Sequence, residues 1–124
     1  MTRKSTIIVT GGAGFVGSNL IKFFLEKTKF NIISIDNYYT GSKRNEIKNK
    51  KIKYIKSDTK NISKILNPYK KNIYSLFHFG EFSRIYQSFV KMDDCFNSNM
   101  VGTNEVFNFC LSNKIKLIYS ATSA

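Results

Sequence analysis

The stretch Thr6-Ile-Ile-Val-Thr-Gly-Gly-Ala-Gly-Phe-Val-Gly17 decides the fold. Its first five residues are β-branched and uncharged, the pattern of a strand buried on both faces of a parallel sheet. Glycines follow at 11, 12, 14 and 17. From Asn19 to Lys29, the residues Leu20, Phe23, Phe24 and Lys27 recur at helical spacing, so a helix leaves the glycines. Asn31-Ile-Ile-Ser-Ile-Asp36 reads as a second strand that ends in an acid. The first 36 residues thus predict strand, glycine-rich turn, helix and strand, a βαβ unit of right-handed crossover.

The same alternation continues. Asn37 to Lys51 is polar and basic and reads as a loop with room for a short helix. Ile52–Lys56 is a third strand, followed by Asp58. Ile62–Leu66 is a short helix halted before Pro68. Residues 73–79 make a fourth strand, and Lys116–Ser120 a fifth. Between them, Asp93 to Ser112 predicts a helix whose buried face carries Phe96, Met100, Thr103, Phe107, Cys110 and Leu111. Strands alternating with helices predict an α/β fold with a doubly wound parallel sheet. Ligands of such sheets bind beyond the carboxyl ends of the strands. Thr10-Gly11, Asp36, Asp58, Phe79-Gly80 and Ser120–Thr122 all fall there.

The glycine run fits G-x-G-x-x-G in the context that gives that pattern meaning, after a strand and at the start of a helix. Gly11 takes the turn, Gly14 removes a side chain where backbone approaches a pyrophosphate, and Gly17 permits close packing. The helix N-terminus offers unpaired N–H groups to the anion. A P-loop is the rival cradle, but Ser18 stands where its lysine is needed. Asp36, nineteen residues after Gly17, is placed to accept hydrogen bonds from both ribose hydroxyls of an adenosine. A carboxylate there repels a 2′-phosphate, which favours NAD over NADP, although Lys43 and Arg44 lie near in sequence.

Composition sets the remaining bounds. The 124 residues suffice for one domain and not for two. Lysine and arginine number 20 against 8 acids, a net charge of +12, and eleven of the bases fall between Lys43 and Lys71. A polyanion-binding surface is one explanation. The other is a lysine bias of the whole sequence, since 17 of the bases are lysine and only 3 are arginine, the better reader of nucleic acid. No recognition helix, zinc pattern or aromatic RNA-binding signature accompanies the lysines, so nucleic acid is not the expected partner. No apolar run is long enough for a membrane span or a signal-peptide core. Cys95 and Cys110 fall in one helix, too far apart for a disulfide, and are expected as free thiols in a cytoplasmic protein.

These motifs together resemble the N-terminal part of an extended short-chain dehydrogenase/reductase of the NAD-dependent epimerase/dehydratase family, which includes nucleotide-sugar epimerases. The residues that carry the resemblance are Thr10–Gly17, Asp36-Asn37 with Thr40-Gly41, Asp58, Phe77–Gly80, Asn99–Thr103 and Tyr119–Thr122. They stand in family order over essentially the whole chain. The resemblance implies a Rossmann-like NAD-binding fold, incomplete at the C-terminus and without the C-terminal substrate lobe. It implies that Gly11, Gly14, Phe15 and Val16 face the pyrophosphate and that Asp36 and Asn37 face the adenosine ribose. Asp58 and Thr59 then meet the adenine edge, and Phe79, Gly80 and Glu81 line the path to the nicotinamide ribose. Asn99 supports the site from behind, and Thr122 is similar to the Ser/Thr that hydrogen-bonds the substrate hydroxyl being oxidised. No metal is implied. The substrate implied for a complete enzyme is a nucleotide sugar, and a homodimer is in keeping with the family.

Two departures stand out. Gly80 and Glu81 occupy positions where the family has two small residues, and a carboxylate there requires Arg84 to neutralise it or an outward turn. No Tyr-x-x-x-Lys pair, the family's proton-transfer machinery, follows Tyr119 before Ala124. The expectation is therefore NAD binding without turnover by these 124 residues, and a fifth strand left as an exposed edge that makes them prone to aggregate. The alternative is a non-catalytic, truncated NAD-binding module. His78 reads as a packed strand-end histidine rather than an acid or base.

Overall fold

Thr6–Thr10 forms β1, and every one of its five residues is buried, as an uncharged β-branched run requires. The computed structural model describes residues 4–39, 41–79 and 101–119. Around β1 lie β2 (Asn31–Asp36), β3 (Ile52–Lys56), β4 (Ile73–His78) and β5 (Lys116–Tyr119). All pairings are parallel and the order is β3-β2-β1-β4-β5. Sequence order therefore reverses between β1 and β4, where a doubly wound sheet opens its ligand crevice. Among the described residues the α-helices are α1 (Phe15–Lys27), α2 (Ile62–Leu66) and α3 (Thr103–Ser112).

Successive strand residues point to opposite faces, and each face has its own core. Ile7, Val9, Ile21 and Ile32 make one cluster, with Leu20 and Phe24 from α1, Phe77 from β4 and Phe79 just after β4 packed on it. Ile8, Ile33, Ile35, Leu76, Ile62, Leu66, Val106 and Phe109 make the other, between the sheet and α2 and α3. This two-sided burial bears out the predicted doubly wound α/β fold. Asn72 ties the amino end of the sheet, its Oδ1 accepting from the Ser5 amide at 3.2 Å and its Nδ2 donating to Thr6 Oγ1 at 3.2 Å.

Three expectations are corrected. Helix α1 begins at Phe15, four residues before the predicted Asn19, and ends at Lys27 rather than Lys29. Gly17 lies inside its first turn because the helix crosses directly over the glycine turn. The Lys51 ammonium donates to Leu25 O at 3.2 Å and Thr28 O at 3.1 Å, closing the C-terminus with a favourable charge. On α3 the buried face is Thr103, Val106, Phe109 and Cys110, whereas Phe107 and Leu111 are exposed. The face is set by contact with α2 on one side and the sheet below, and Phe107 is turned aside against Tyr119 at 5.4 Å between ring centres. Phe96, Met100 and Cys95 lie outside the described residues. Cys110 is a buried free thiol whose ionisation burial pushes up to about 11.

The lysine cluster finds a structural setting. Lys53 and Lys56 project exposed from β3, an edge strand of the sheet. Charged edge residues discourage strand pairing with other chains.

A Cβ placed on Gly17 would stand 2.2 Å from Gly11 O and 2.9 Å from the Gly12 Cα, both backbone atoms that cannot swing away. Gly17→Ala is therefore expected to destabilise the chain by about 2–3 kcal/mol, through overpacking, in urea denaturation. An unchanged midpoint would contradict this packing.

Candidate functional site

The carboxyl ends of β1 and β2 are joined through backbone. The Gly11 amide donates to Ile35 O at 2.7 Å, and Gly11 adopts φ 73, the left-handed region open to a residue without Cβ. Gly12 lies flat on β2: a Cβ there would meet Ser34 Oγ at 1.9 Å and Ile21 Cδ1 at 2.9 Å. Gly12 thus carries the close helix–strand approach that the sequence pattern alone assigned to Gly17, which instead packs against the turn itself. The signal was present, since a serine in an otherwise isoleucine-rich strand marks where backbone comes near.

Gly14 is the N-cap of α1 and has no side chain to cap with, and no acidic residue stands in the first turn. The leading N–H groups of a helix have no partner inside it. Phe15 and Val16 are 82% and 58% exposed, and the polar group that each offers at this edge is its backbone N–H.

Asp36 closes the other side. Its Oδ2 accepts from the Ala13 amide at 2.9 Å and its Oδ1 from the Tyr38 amide at 2.7 Å. The residue is only 9% exposed. Ala13 O in turn accepts from the Ser42 amide at 3.0 Å and Asn45 Nδ2 at 2.8 Å. A Cβ on Gly41 would crowd Asp36 Oδ2 at 2.9 Å, so the small residue lets the loop after β2 fold over the glycine turn. Asn37 Nδ2 donates to Asp58 Oδ1 at 2.9 Å, joining the ends of β2 and β3. A crevice runs between these ends, lined by Gly11, Ile35, Asp36, Asn37, Ser57, Asp58 and Thr59. The structure thus gathers six of the predicted residues, Gly11, Gly14, Asp36, Asn37, Asp58 and Thr59, at one edge.

On the β4 side the Phe79 amide donates to Thr10 Oγ1 at 2.9 Å. His78 is fully buried, with Nδ1 2.7 Å from Thr10 Oγ1 and Nε2 3.1 Å from Thr103 Oγ1. It stacks on Tyr119 with ring centres 5.6 Å apart. A histidine so enclosed is a strand-end strut between β1, β4 and α3, as its position predicts. Gly80, Glu81, Asn99 and Thr122 lie outside the described residues. One tyrosine–lysine pair with the proton-transfer spacing does occur, at Tyr39 and Lys43. It sits in the loop after β2, where the four-residue spacing does not set both side chains on one helix face.

Tyr38 and Tyr54 frame the loop after β2. Tyr38 donates its hydroxyl to Glu46 Oε2, and burial together with that carboxylate raises its pKa. Tyr54 OH accepts from the Ile47 amide at 2.8 Å, and burial raises its pKa also. Among the described residues no group of three His, Cys, Asp or Glu side chains could hold a metal ion, and no helix is long and apolar enough to cross a membrane.

A five-stranded parallel sheet of this order, with a glycine turn and an acid at the end of β2, defines a Rossmann-like fold. The model of the NAD dependent epimerase/dehydratase family matches residues 7–124, and the chain belongs to that family. It is 30% identical over 120 residues to the ADP-L-glycero-D-manno-heptose-6-epimerase of Brachyspira hyodysenteriae, covering 95% of this chain and 37% of that protein. The Bordetella bronchiseptica enzyme WbmF, solved in complex with NAD+, superposes with a TM-score of 0.86 at 23% identity, over 97% of this chain and 37% of that one. The UDP-N-acetylglucosamine 4-epimerase of Methanobrevibacter ruminantium M1, in complex with UDP-N-acetylmuramic acid, superposes at 0.81 with 25% identity, over 98% and 39%. The chain thus spans a little over a third of the length of these relatives.

Asp36→Asn would set an amide group against one of the two backbone N–H donors, facing donor to donor. It is expected to destabilise the chain by about 1–3 kcal/mol. Hydrogen exchange at Ala13 or Tyr38 should quicken while the β1 amides stay protected. Equal exchange in both proteins would show that the carboxylate does not hold the turn.

Proposed function

We propose that these residues bind NAD as the N-terminal part of a nucleotide-sugar epimerase or dehydratase. The observation that carries the proposal is a helix N-terminus with no side-chain cap, reached through the glycine turn whose Ala13 amide is bonded to the Asp36 carboxylate at the same sheet edge. The two features suit opposite parts of a dinucleotide. The first-turn amides and the positive helix end suit a pyrophosphate. Each Asp36 oxygen accepts one backbone amide and keeps a second lone-pair direction, so the carboxylate retains capacity for ribose hydroxyls. Asn37, Asp58 and Thr59 extend the same crevice towards a base. NAD-bound neighbours such as WbmF support this assignment.

When bound, NAD supplies reversible hydride acceptance from a sugar carbon. The chain's own part is to hold the cofactor's adenosine and phosphates against a rigid sheet edge. Phe79, Gly80 and Glu81 are assigned to the path towards the reacting end, Asn99 to supporting it from behind, and Thr122 to hydrogen-bonding the substrate hydroxyl. Proton transfer is assigned to a Tyr-x-x-x-Lys pair beyond Thr122 in a chain of family length. The substrate class is a nucleotide sugar, in keeping with relatives that act on ADP- and UDP-sugars. A homodimer and a cytoplasmic site of action complete the proposal.

Isothermal titration of the 124-residue chain with NAD and NADP tests the binding assignment. NAD should bind, and NADP should bind at least about tenfold more weakly because its 2′-phosphate meets Asp36. Saturating NAD with no heat and no shift in thermal midpoint would overturn it.

A further inference from the structure

Tyr38 is an outlier that the cofactor site does not itself require. It is an aromatic residue at φ 61, a left-handed conformation in which Cβ crowds the backbone. Such residues persist where their surroundings hold them, and they gather at functional sites. Two contacts hold this one. Its amide donates to Asp36 Oδ1 at 2.7 Å, and its hydroxyl donates to Glu46 Oε2. Glu46 is itself well anchored. Its amide donates to Lys43 O at 3.1 Å, the neighbouring Asn45 side chain is bonded to Ala13 O at 2.8 Å, and the following Ile47 amide is bonded to Tyr54 OH at 2.8 Å. The Tyr38 ring therefore spans from the strand-end acid to a segment clasped to both the glycine turn and β3.

The geometry follows a simple logic. An Asp carboxylate at a strand end rotates about its side-chain bonds unless its acceptor directions are filled. Ala13 fixes one oxygen and Tyr38 the other. The left-handed φ directs the Tyr38 side chain so that its ring reaches Glu46 while its amide stays on Asp36, and the hydroxyl bond helps to offset that conformation and tethers the residue that carries the amide. The carboxylate is then held with its remaining lone pairs in one orientation before any ligand arrives, which lowers the ordering cost of binding.

We infer that Tyr38 and Glu46 form a latch that orients the Asp36 carboxylate, and are positioning residues for the adenosine end of the cofactor. This rests on the assignment of the crevice to NAD. Neither residue need touch the cofactor.

The test uses the 124-residue chain with Tyr38→Phe, Glu46→Ala, the double variant, and Glu46→Gln. NAD affinity is read by calorimetry, and amide hydrogen exchange is read without ligand. Tyr38→Phe and Glu46→Ala should each weaken NAD binding about three- to tenfold, the loss of one charge-assisted bond felt through the loop. The double variant should be no weaker than either single one, because each breaks the same bond. Glu46→Gln keeps an acceptor oxygen and should bind within about twofold of the unsubstituted chain. Without ligand, exchange at Tyr38 should quicken in the first three variants and not in Glu46→Gln, while β1 and β2 amides stay protected in all four. Single variants that bind NAD normally, or whose losses add, would overturn the latch and leave the NAD assignment standing. Loss of β1 and β2 protection would make the pair a folding determinant and overturn its positioning role. If the unsubstituted chain fails to bind NAD, the crevice assignment falls, and the inference falls with it.

Discussion

The Asp36 carboxylate accepts two backbone amides, one from Ala13 in the glycine turn and one from Tyr38 in the loop that follows its own strand. The β1–β2 side of the sheet's carboxyl edge is arranged about those two bonds. A carboxylate that is only 9% exposed needs such partners, since a buried charge without hydrogen bonds is strongly unfavourable. Charge-assisted bonds of this kind are about twice as strong as neutral ones. Once Ala13 is fixed, its carbonyl collects Ser42 and Asn45, and the loop closes over the turn. Gly41 and Gly12 are small because backbone must pass against Asp36 and Ser34 at those points.

Sheet topology turns this local arrangement into a binding edge. The reversal of strand order between β1 and β4 sends the connections from the two halves of the sheet to opposite faces. The observed crevice lies on the β1–β2–β3 side of that reversal, lined by Gly11 of the glycine turn and by residues at the ends of β2 and β3. The buried Thr10–His78–Thr103 chain keeps β4 and α3 in register with β1 on the far side of that opening. Two apolar clusters, one on each face, hold the edge rigid from below. On the proposed reading, recognition falls to groups already ordered in the free chain, which lowers the entropy cost of capturing a flexible dinucleotide.

Much of this was legible in the sequence. The ends of β1, β2 and β3 match the sequence reading residue for residue, because runs such as Thr6–Thr10 combine β-branching with the absence of charge and stop at glycine or acid. The placement of Gly11, Asp36 and Asp58 at one candidate crevice is legible, because it depends on strand ends that the pattern locates. The start of α1 was not, because Gly17 looks like a turn residue and the apolar repeat begins only at Leu20. Spacing alone does not find the buried face of α3, because Phe107 and Leu111 follow helical spacing as well as Val106 and Phe109 do, and tertiary contact with α2 decides between them. The left-handed Tyr38 and its bond to Glu46 were not legible at all. No local propensity favours an aromatic residue there, and the reason lies in partners eight residues on and two residues back.

The most direct measurement of the central claim is the set of backbone amide shifts that NAD produces in the 124-residue chain. If the edge built on Asp36 is the cofactor site, the amides of Gly11–Ser18, Asp36, Asn37, Asp58 and Thr59 move together and saturate with a single affinity. A second cleft at the amino ends of the strands, lined by Lys4, Lys29, Phe30 and Tyr74, should then stay silent. Shifts confined to that amino-end cleft, with the glycine turn unmoved, would contradict the account.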